Sequence, residues 1–137
     1  MPRFEPFRGL RYAPDVLADN GVAFDDVIAP PYDVIDAAGR EMLAGRSSYN
    51  SVRVELPEPD PSRGLDRYAA AADLIREWGQ EGVVALDDAP SFYAYRMSFV
   101  DELGQPRRTS GVIGALEVTV PGEGDVLPHE LTMPKPK

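Results

Sequence analysis

The single histidine and both lysines of this chain fall in its last nine residues, within the closing stretch Leu127-Pro128-His129-Glu130-Leu131-Thr132-Met133-Pro134-Lys135-Pro136-Lys137 of eleven. Histidine and lysine are common proton-transfer and phosphate-binding side chains, and everywhere else the basic residues are arginines. Lys135 and Lys137 stand two apart around a proline, so in an extended segment they project to one side. Two ammonium groups on a stiff backbone suit a phosphate; the other reading is solvated surface charge. His129 and Glu130 could join a metal site in which carboxylates supply the other ligands, as magnesium prefers, or His129 could be a hydrogen-bonded loop residue. Lys-Pro-Lys is an unusual close to a folded domain, so the segment reads as cut off partway and the domain as truncated at its C-terminus.

Three further groups could do chemistry. Asp33 follows the double proline Pro30-Pro31 and Tyr32, where a rigid turn would hold it as a carboxylate base or a magnesium ligand; equally, it could cap the helical region beginning near Asp36. Arg8 and Arg11, with Arg53, could form an anion site, because guanidinium forks match phosphate and carboxylate oxygens. Pairing with some of the 23 acidic residues is the alternative. The common signatures are missing: there is no G-x-x-x-x-G-K, no G-x-G-x-x-G and no G-x-S-x-G nucleophile elbow.

The elements that must position these residues can be read from periodicity. Phe7 to Tyr12 alternates as a short strand that Pro14 ends, and a loop or helical turn runs through Val16 to Asn20. Val27 to Ile35, apolar on both sides of the prolines, predicts a buried, sharply turned segment. Asp36 can cap a helix through Glu41, Met42 and Leu43, stopped by Gly45. Asn50 to Leu56 alternates as a strand, with Val52, Val54 and Leu56 opposite Arg53 and Glu55. A longer helix, capped by Ser62 and stopped by Gly82, carries Leu65, Tyr68, Ala69, Ala72, Ile75 and Gly79 at three- and four-residue spacing. Val83 to Leu86 and Phe92 to Phe99 read as strands; Asp101 to Pro106 supplies a hairpin turn, and Arg107 to Val120 returns, with Gly111 and Gly114 marking a bulge or close backbone approach. Tyr93, Tyr95, Met97 and Phe99 share one face and read as core beneath the helix bearing Tyr68 and Trp78. A second turn spans Pro121 to Asp125. The order of elements predicts a single α+β domain over residues 1–137, with a mixed β-sheet, two main helices and a C-terminal antiparallel hairpin.

Composition narrows the function classes. The net charge of −9 opposes the phosphate-neutralising surface of a nucleic-acid binder, so no nucleic-acid partner is expected. The absence of cysteine removes disulfides, zinc ribbons and thiolate chemistry. No signal peptide opens the sequence and no stretch approaches the roughly 20 apolar residues of a membrane span, so a cytoplasmic location and no membrane partner are expected.

Read together, Pro6-Phe7-Arg8-Gly9-Leu10-Arg11-Tyr12, Val27-Ile28-Ala29-Pro30-Pro31-Tyr32-Asp33-Val34-Ile35, Tyr49-Asn50-Ser51-Val52-Arg53-Val54-Glu55-Leu56-Pro57 and Leu127-Pro128-His129-Glu130 with Thr132, Pro134 and Lys135 resemble the bacterial and archaeal family known as domain of unknown function 1015. The segments lie in the family's order across nearly the whole chain. The resemblance implies a longer protein, carrying beyond the Pro-Lys segment a motif similar to one in ParB-like domains, which include nucleotide-binding partition proteins and a free-serine kinase. It further implies a phosphate-handling enzyme, performing phosphoryl transfer or phosphate-ester hydrolysis and linked to serine metabolism, with a non-catalytic ParB-like binding or regulatory module as the alternative. Asp33, His129 and Glu130 are then the catalytic candidates. Arg8, Arg11, Tyr32, Asn50, Arg53, Thr132, Lys135 and Lys137 are the ligand-binding ones, and magnesium and a nucleotide are the cofactors such chemistry would use.

Overall fold

The computed structural model describes residues 2–120 and Val126. In chain order the elements are strands β1 (Phe4–Glu5) and β2 (Leu10–Tyr12) and helices α1 (Pro14–Asp19), α2 (Ala37–Arg46), α3 (Val52–Glu55) and α4 (Arg67–Gln80). Strands β3 (Val84–Leu86), β4 (Tyr93–Val100), β5 (Pro106–Ile113) and β6 (Ala115–Leu116) follow, and short 3₁₀ turns sit at Phe24–Asp26 and Tyr32–Val34. The α+β class holds. The strands pair as β1 with β6, β2 with β3 and β4 with β5, all antiparallel, so among the described residues the expected mixed sheet is three two-stranded antiparallel ribbons. No helix among these residues is long and apolar enough to cross a membrane. Contacts group the chain into two compact units, one formed by Leu10–Leu86 and one by the flanking stretches up to Gly9 and from Asp87 onward.

The Leu10–Leu86 unit holds the larger core. Leu17, Val27, Trp78, Val83 and Val84 are buried together, with Tyr12, Val16, Val22, Tyr49, Val54 and Leu74 packed against them. The Trp78 ring meets Tyr12 and Tyr49 with centroids 6.0 and 6.1 Å away. Helix α4 is capped by Asp66, whose carboxylate accepts from the Tyr68 and Ala69 amides, and not by the expected Ser62. Ser62 is already engaged: its hydroxyl donates to Asp60, which also accepts the Ser62 and Arg63 amides, closing a turn ahead of the helix. The buried face also differs. Leu74 and Trp78, one turn apart, face the core while Tyr68 stays exposed, because burying the indole removes far more apolar surface from water than burying the alanines of the expected stripe. Gly82 ends the helix region at φ +74°, as expected.

Within residues 50–56 the chain forms helix α3, with Ser51 and Leu56 flanking it, and not a strand. The Val52 and Val54 alternation is compatible with either, and Asn50 decides it: its side-chain oxygen accepts from the Val52 amide at 3.0 Å, turning the chain into the helical hydrogen bonds from Glu55 to Ser51 and from Leu56 to Val52. Asn50 is fully buried, and its amide nitrogen donates to the carbonyls of Asp26 at 2.7 Å and Ile28 at 3.2 Å. The Ser51 amide adds a bond to the Val27 carbonyl, so the 26–28 turn is tied to the start of α3 at three consecutive carbonyls. Of the Val27–Ile35 stretch only Val27 is buried; Ile28, Tyr32 and Val34 are exposed, since two prolines and a 3₁₀ turn leave few backbone donors to pair in an interior. Helix α2 is capped by Asp36 on the Gly39 amide, as read from the sequence, and runs one residue past Gly45.

In the flanking unit, β4 and β5 form the expected hairpin, closed by Asp101, which accepts from the Leu103 and Gln105 amides and from Arg107 Nε at 2.7 Å. The Arg107 contact and those amides hold the Asp101 carboxyl below the usual range. The returning strand breaks at Gly114, where an added Cβ would come within 2.5 Å of the Phe4 ring, and continues as β6 against β1. At Gly111 an added Cβ would overlap the Tyr95 ring, so both glycines mark close approaches, as predicted. Tyr95, Met97 and Phe99 are not core, however: each is about half exposed, because a two-stranded ribbon has no second layer of its own to bury them.

Two outcomes follow from this packing. The Tyr12 hydroxyl donates to the Tyr49 carbonyl at 2.7 Å, and burial, reinforced by the Glu55 charge, pushes its pKa up to about 12. The unfolded chain loses that proton first, so stability present below about pH 10 is lost as pH rises towards 12. Tyr12→Phe should flatten that loss in urea titrations, leaving the part due to Tyr49, whose hydroxyl is raised by its hydrogen bond to Glu81. Asn50→Ala strands the Val52 amide and two carbonyls, and should lower unfolding free energy by about 2–4 kcal/mol in the same measurement; a loss below about 0.5 kcal/mol would contradict the role given to Asn50.

Candidate functional site

A cleft of about 570 Å³ opens between the 25–35 segment and helix α2, lined by Asp25, Ile28, Ala29, Pro30, Val34, Ile35, Gly39, Met42, Leu43 and Arg46. One wall is the proline turn and the other the helix. The sequence builds it directly, because a stretch that turns on two prolines cannot continue a ladder and leaves its apolar side chains facing α2. Among these residues only Asp25 and Arg46 carry full charge. Neither makes an ion pair or a side-chain hydrogen bond among the described residues, so each is available to a ligand.

Two side-chain ties hold these walls. The Asn50 clamp fixes the carbonyls of Asp26 and Ile28, at and just after the end of the turn that carries Asp25. Arg53 fixes the other wall: its Nη2 donates to the Ala44 carbonyl at 2.7 Å and its Nε to the Ser47 carbonyl at 3.3 Å, capping the end of α2 where Arg46 stands. A guanidinium there satisfies carbonyls left open by the last helical turn and complements the negative end of the helix dipole. Arg40, also on α2, is engaged by the Leu56 carbonyl at 2.8 Å and by Glu58 at 2.9 Å. Of the arginines on α2 and α3, Arg46 is thus the one whose fork remains open.

The residues singled out by sequence fall into separate groups. Asn50 and Arg53 come together, but with their donors turned to backbone carbonyls. Tyr32 and Asp33 lie exposed on the 3₁₀ turn whose next two residues, Val34 and Ile35, line the cleft. Arg11 is exposed on β2, opposite Ala85 of β3. Arg8 belongs to the flanking unit, where its Nε donates to the Asp87 carbonyl at 2.5 Å. Beside it the Tyr93 hydroxyl accepts from the Gly9 amide at 2.6 Å and donates to Asp87, and an added Cβ on Gly9 would stand only 2.7 Å from that hydroxyl. The Phe7-Arg8-Gly9 motif is therefore a close-packing signature, with glycine required by the tyrosine above it. His129, Glu130, Thr132, Lys135 and Lys137 lie outside the described residues, as does the turn expected over Pro121 to Asp125.

Asp25 and Arg46 were not among the residues that sequence reasoning selected. Each sits at the polar edge of an apolar run, Asp25 ahead of Val27-Ile28-Ala29 and Arg46 behind Met42-Leu43-Ala44, and that is the only local signal they give. Among the described residues no three histidine or carboxylate side chains converge as a metal site.

Comparison with known proteins agrees with the motifs. No curated protein and no solved structure shows significant similarity to the chain. The family model described as "Protein of unknown function (DUF1015)" matches residues 4–137, including every segment quoted above from Pro6 to Lys135. With nearly its whole length inside that match, the chain belongs to the DUF1015 family.

Proposed function

We propose that this chain supplies the ligand-binding cleft of a phosphate-handling enzyme, which takes a small phosphate ester or nucleotide and performs phosphoryl transfer or phosphate-ester hydrolysis. The observation that supports this reading is the open guanidinium of Arg46 in a cleft whose neighbouring arginines are all committed to the fold. A planar fork with five donors binds phosphate oxygens in pairs. In this reading Asp33, exposed on the 3₁₀ turn next to the lining residues Val34 and Ile35, serves as a base or as a magnesium ligand; magnesium is commonly held by one or two carboxylates together with substrate phosphate. His129, Glu130, Thr132, Lys135 and Lys137 complete the site in this reading.

A second reading, a non-catalytic binding or regulatory module of ParB-like type, draws on a different observation. Asn50 and Arg53, chosen as ligand contacts, spend their hydrogen bonds on backbone carbonyls. Binding without turnover is its signature.

The test separates binding, structure and chemistry. In the intact protein, Arg46→Ala should weaken phosphate-ester binding about tenfold or more by calorimetry while changing stability by less than about 0.5 kcal/mol. Arg53→Ala should do the reverse, costing about 1–3 kcal/mol of stability with ester affinity retained in the folded protein. Turnover of ATP, ADP or phosphate esters with added serine or water, abolished by Asp33→Asn, supports the enzyme; tight binding with no turnover leaves the module. If no nucleotide or phosphate ester binds, both readings fall.

A further inference from the structure

The cleft carries a second charge that an anion site does not need. Asp25 lines it together with Arg46, yet the two side chains make no ion pair, and neither finds another partner among the described residues. A bare phosphate held by Arg46 would meet the Asp25 carboxylate as a like charge, which weakens binding. The remaining lining is apolar or backbone. Opposite single charges that line one apolar cleft without pairing are complementary to a small ligand that itself carries opposite charges. Backbone bonds hold the segments that carry them: Asn50 binds the carbonyls of Asp26 and Ile28, just after Asp25, and Arg53 binds those of Ala44 and Ser47, which flank Arg46.

We infer that the cleft between the 25–35 turn and α2 recognises a small amino-bearing phosphate ester, its phosphate on the Arg46 guanidinium and its ammonium on the Asp25 carboxylate. The inference rests on the phosphate-binding reading above and names the class of ligand it selects. Of the other charged groups on these segments, Arg40 is tied to Leu56 and Glu58 and Asp36 caps α2, while Asp26, Asp33 and Glu41 are not among the lining residues. Recognition of this kind is a matter of charge placement, and it distinguishes an amine-bearing ester from its amine-free isostere.

The experiment uses 2-aminoethyl phosphate and ethyl phosphate, titrated into the intact protein by calorimetry in the presence of a chelator. The amino ester should bind about three- to tenfold more tightly, the range expected for one exposed charge contact. Asp25→Asn should erase that preference while leaving ethyl phosphate binding unchanged or slightly stronger, since a like charge has gone. Asp25→Ser is the second variant, and both should keep the wild-type circular dichroism spectrum because the Asp25 side chain makes no hydrogen bond or ion pair among the described residues. Equal affinity for the two esters in the wild type, or a preference that survives both substitutions, overturns the inference while the phosphate reading stands. A preference that disappears because added magnesium raises ethyl phosphate affinity through Asp25 also overturns it, assigning the carboxylate to a cation instead. Failure of both esters to bind removes the phosphate reading and this inference together.

Discussion

A buried carboxamide has to find partners inside the protein, and Asn50 finds three: the Val52 amide for its oxygen and the Asp26 and Ile28 carbonyls for its nitrogen. These bonds join segments that the chain separates by helix α2, and much of the Leu10–Leu86 unit hangs on the junction. Val27, between the two accepted carbonyls, is pressed into the core beside Leu17 and Trp78. Tyr12 closes the same junction from β2 by donating to the Tyr49 carbonyl. Among the described residues no buried side-chain nitrogen or oxygen is left without a partner, so the polar interior is complete. A complete polar junction of this kind makes one arrangement of the 26–28 turn far better than its neighbours, because a shifted register would strand groups that cost about 1–3 kcal/mol each to bury unpaired.

The arginines extend the same logic to the second wall. Helix α2 ends without a glycine cap, and its last carbonyls are met instead by the Arg53 side chain reaching back from α3. Lysine would bring a point charge to that position, whereas the planar fork reaches two carbonyls at once from one side chain. Arg40 uses its fork similarly on the Leu56 carbonyl, tying α2 to the end of α3. Two helices that would be marginal alone, one of ten residues and one of four, are stabilised by side-chain donors that do not depend on extensive apolar contact.

Much of this was legible in the sequence, and the failures have physical causes. The Asp36 cap, the Gly82 stop, the Asp101 hairpin and the two close-approach glycines were readable because each is decided within a few residues by turn or cap chemistry. Residues 50–56 were misread because alternating valines satisfy a strand pattern, while the helix is chosen by a buried asparagine whose partners are far away in sequence. The aromatic alternation in β4 was rightly read as a strand and wrongly as core, since periodicity reports which side chains share a face and not whether a layer covers it. At the site, the sequence singled out residues by chemical type, and the fold shows where two of them direct their donors. Asn50 and Arg53 have the chemistry of ligand contacts, but their donors are consumed by backbone, and only the fold shows which arginine is left over.

The supports of the cleft outweigh any direct attraction between its two charges. An exposed ion pair between Asp25 and Arg46 would be worth at most about 1 kcal/mol in water. The segments that carry them are tied by the Asn50 and Arg53 bonds to backbone carbonyls, and each such group left buried and unpaired would cost about 1–3 kcal/mol. Both charges line the cleft without pairing with each other. A ligand that meets both gains two charge-assisted contacts without having to disrupt an existing pair, which is the advantage of a site preorganised by its supports.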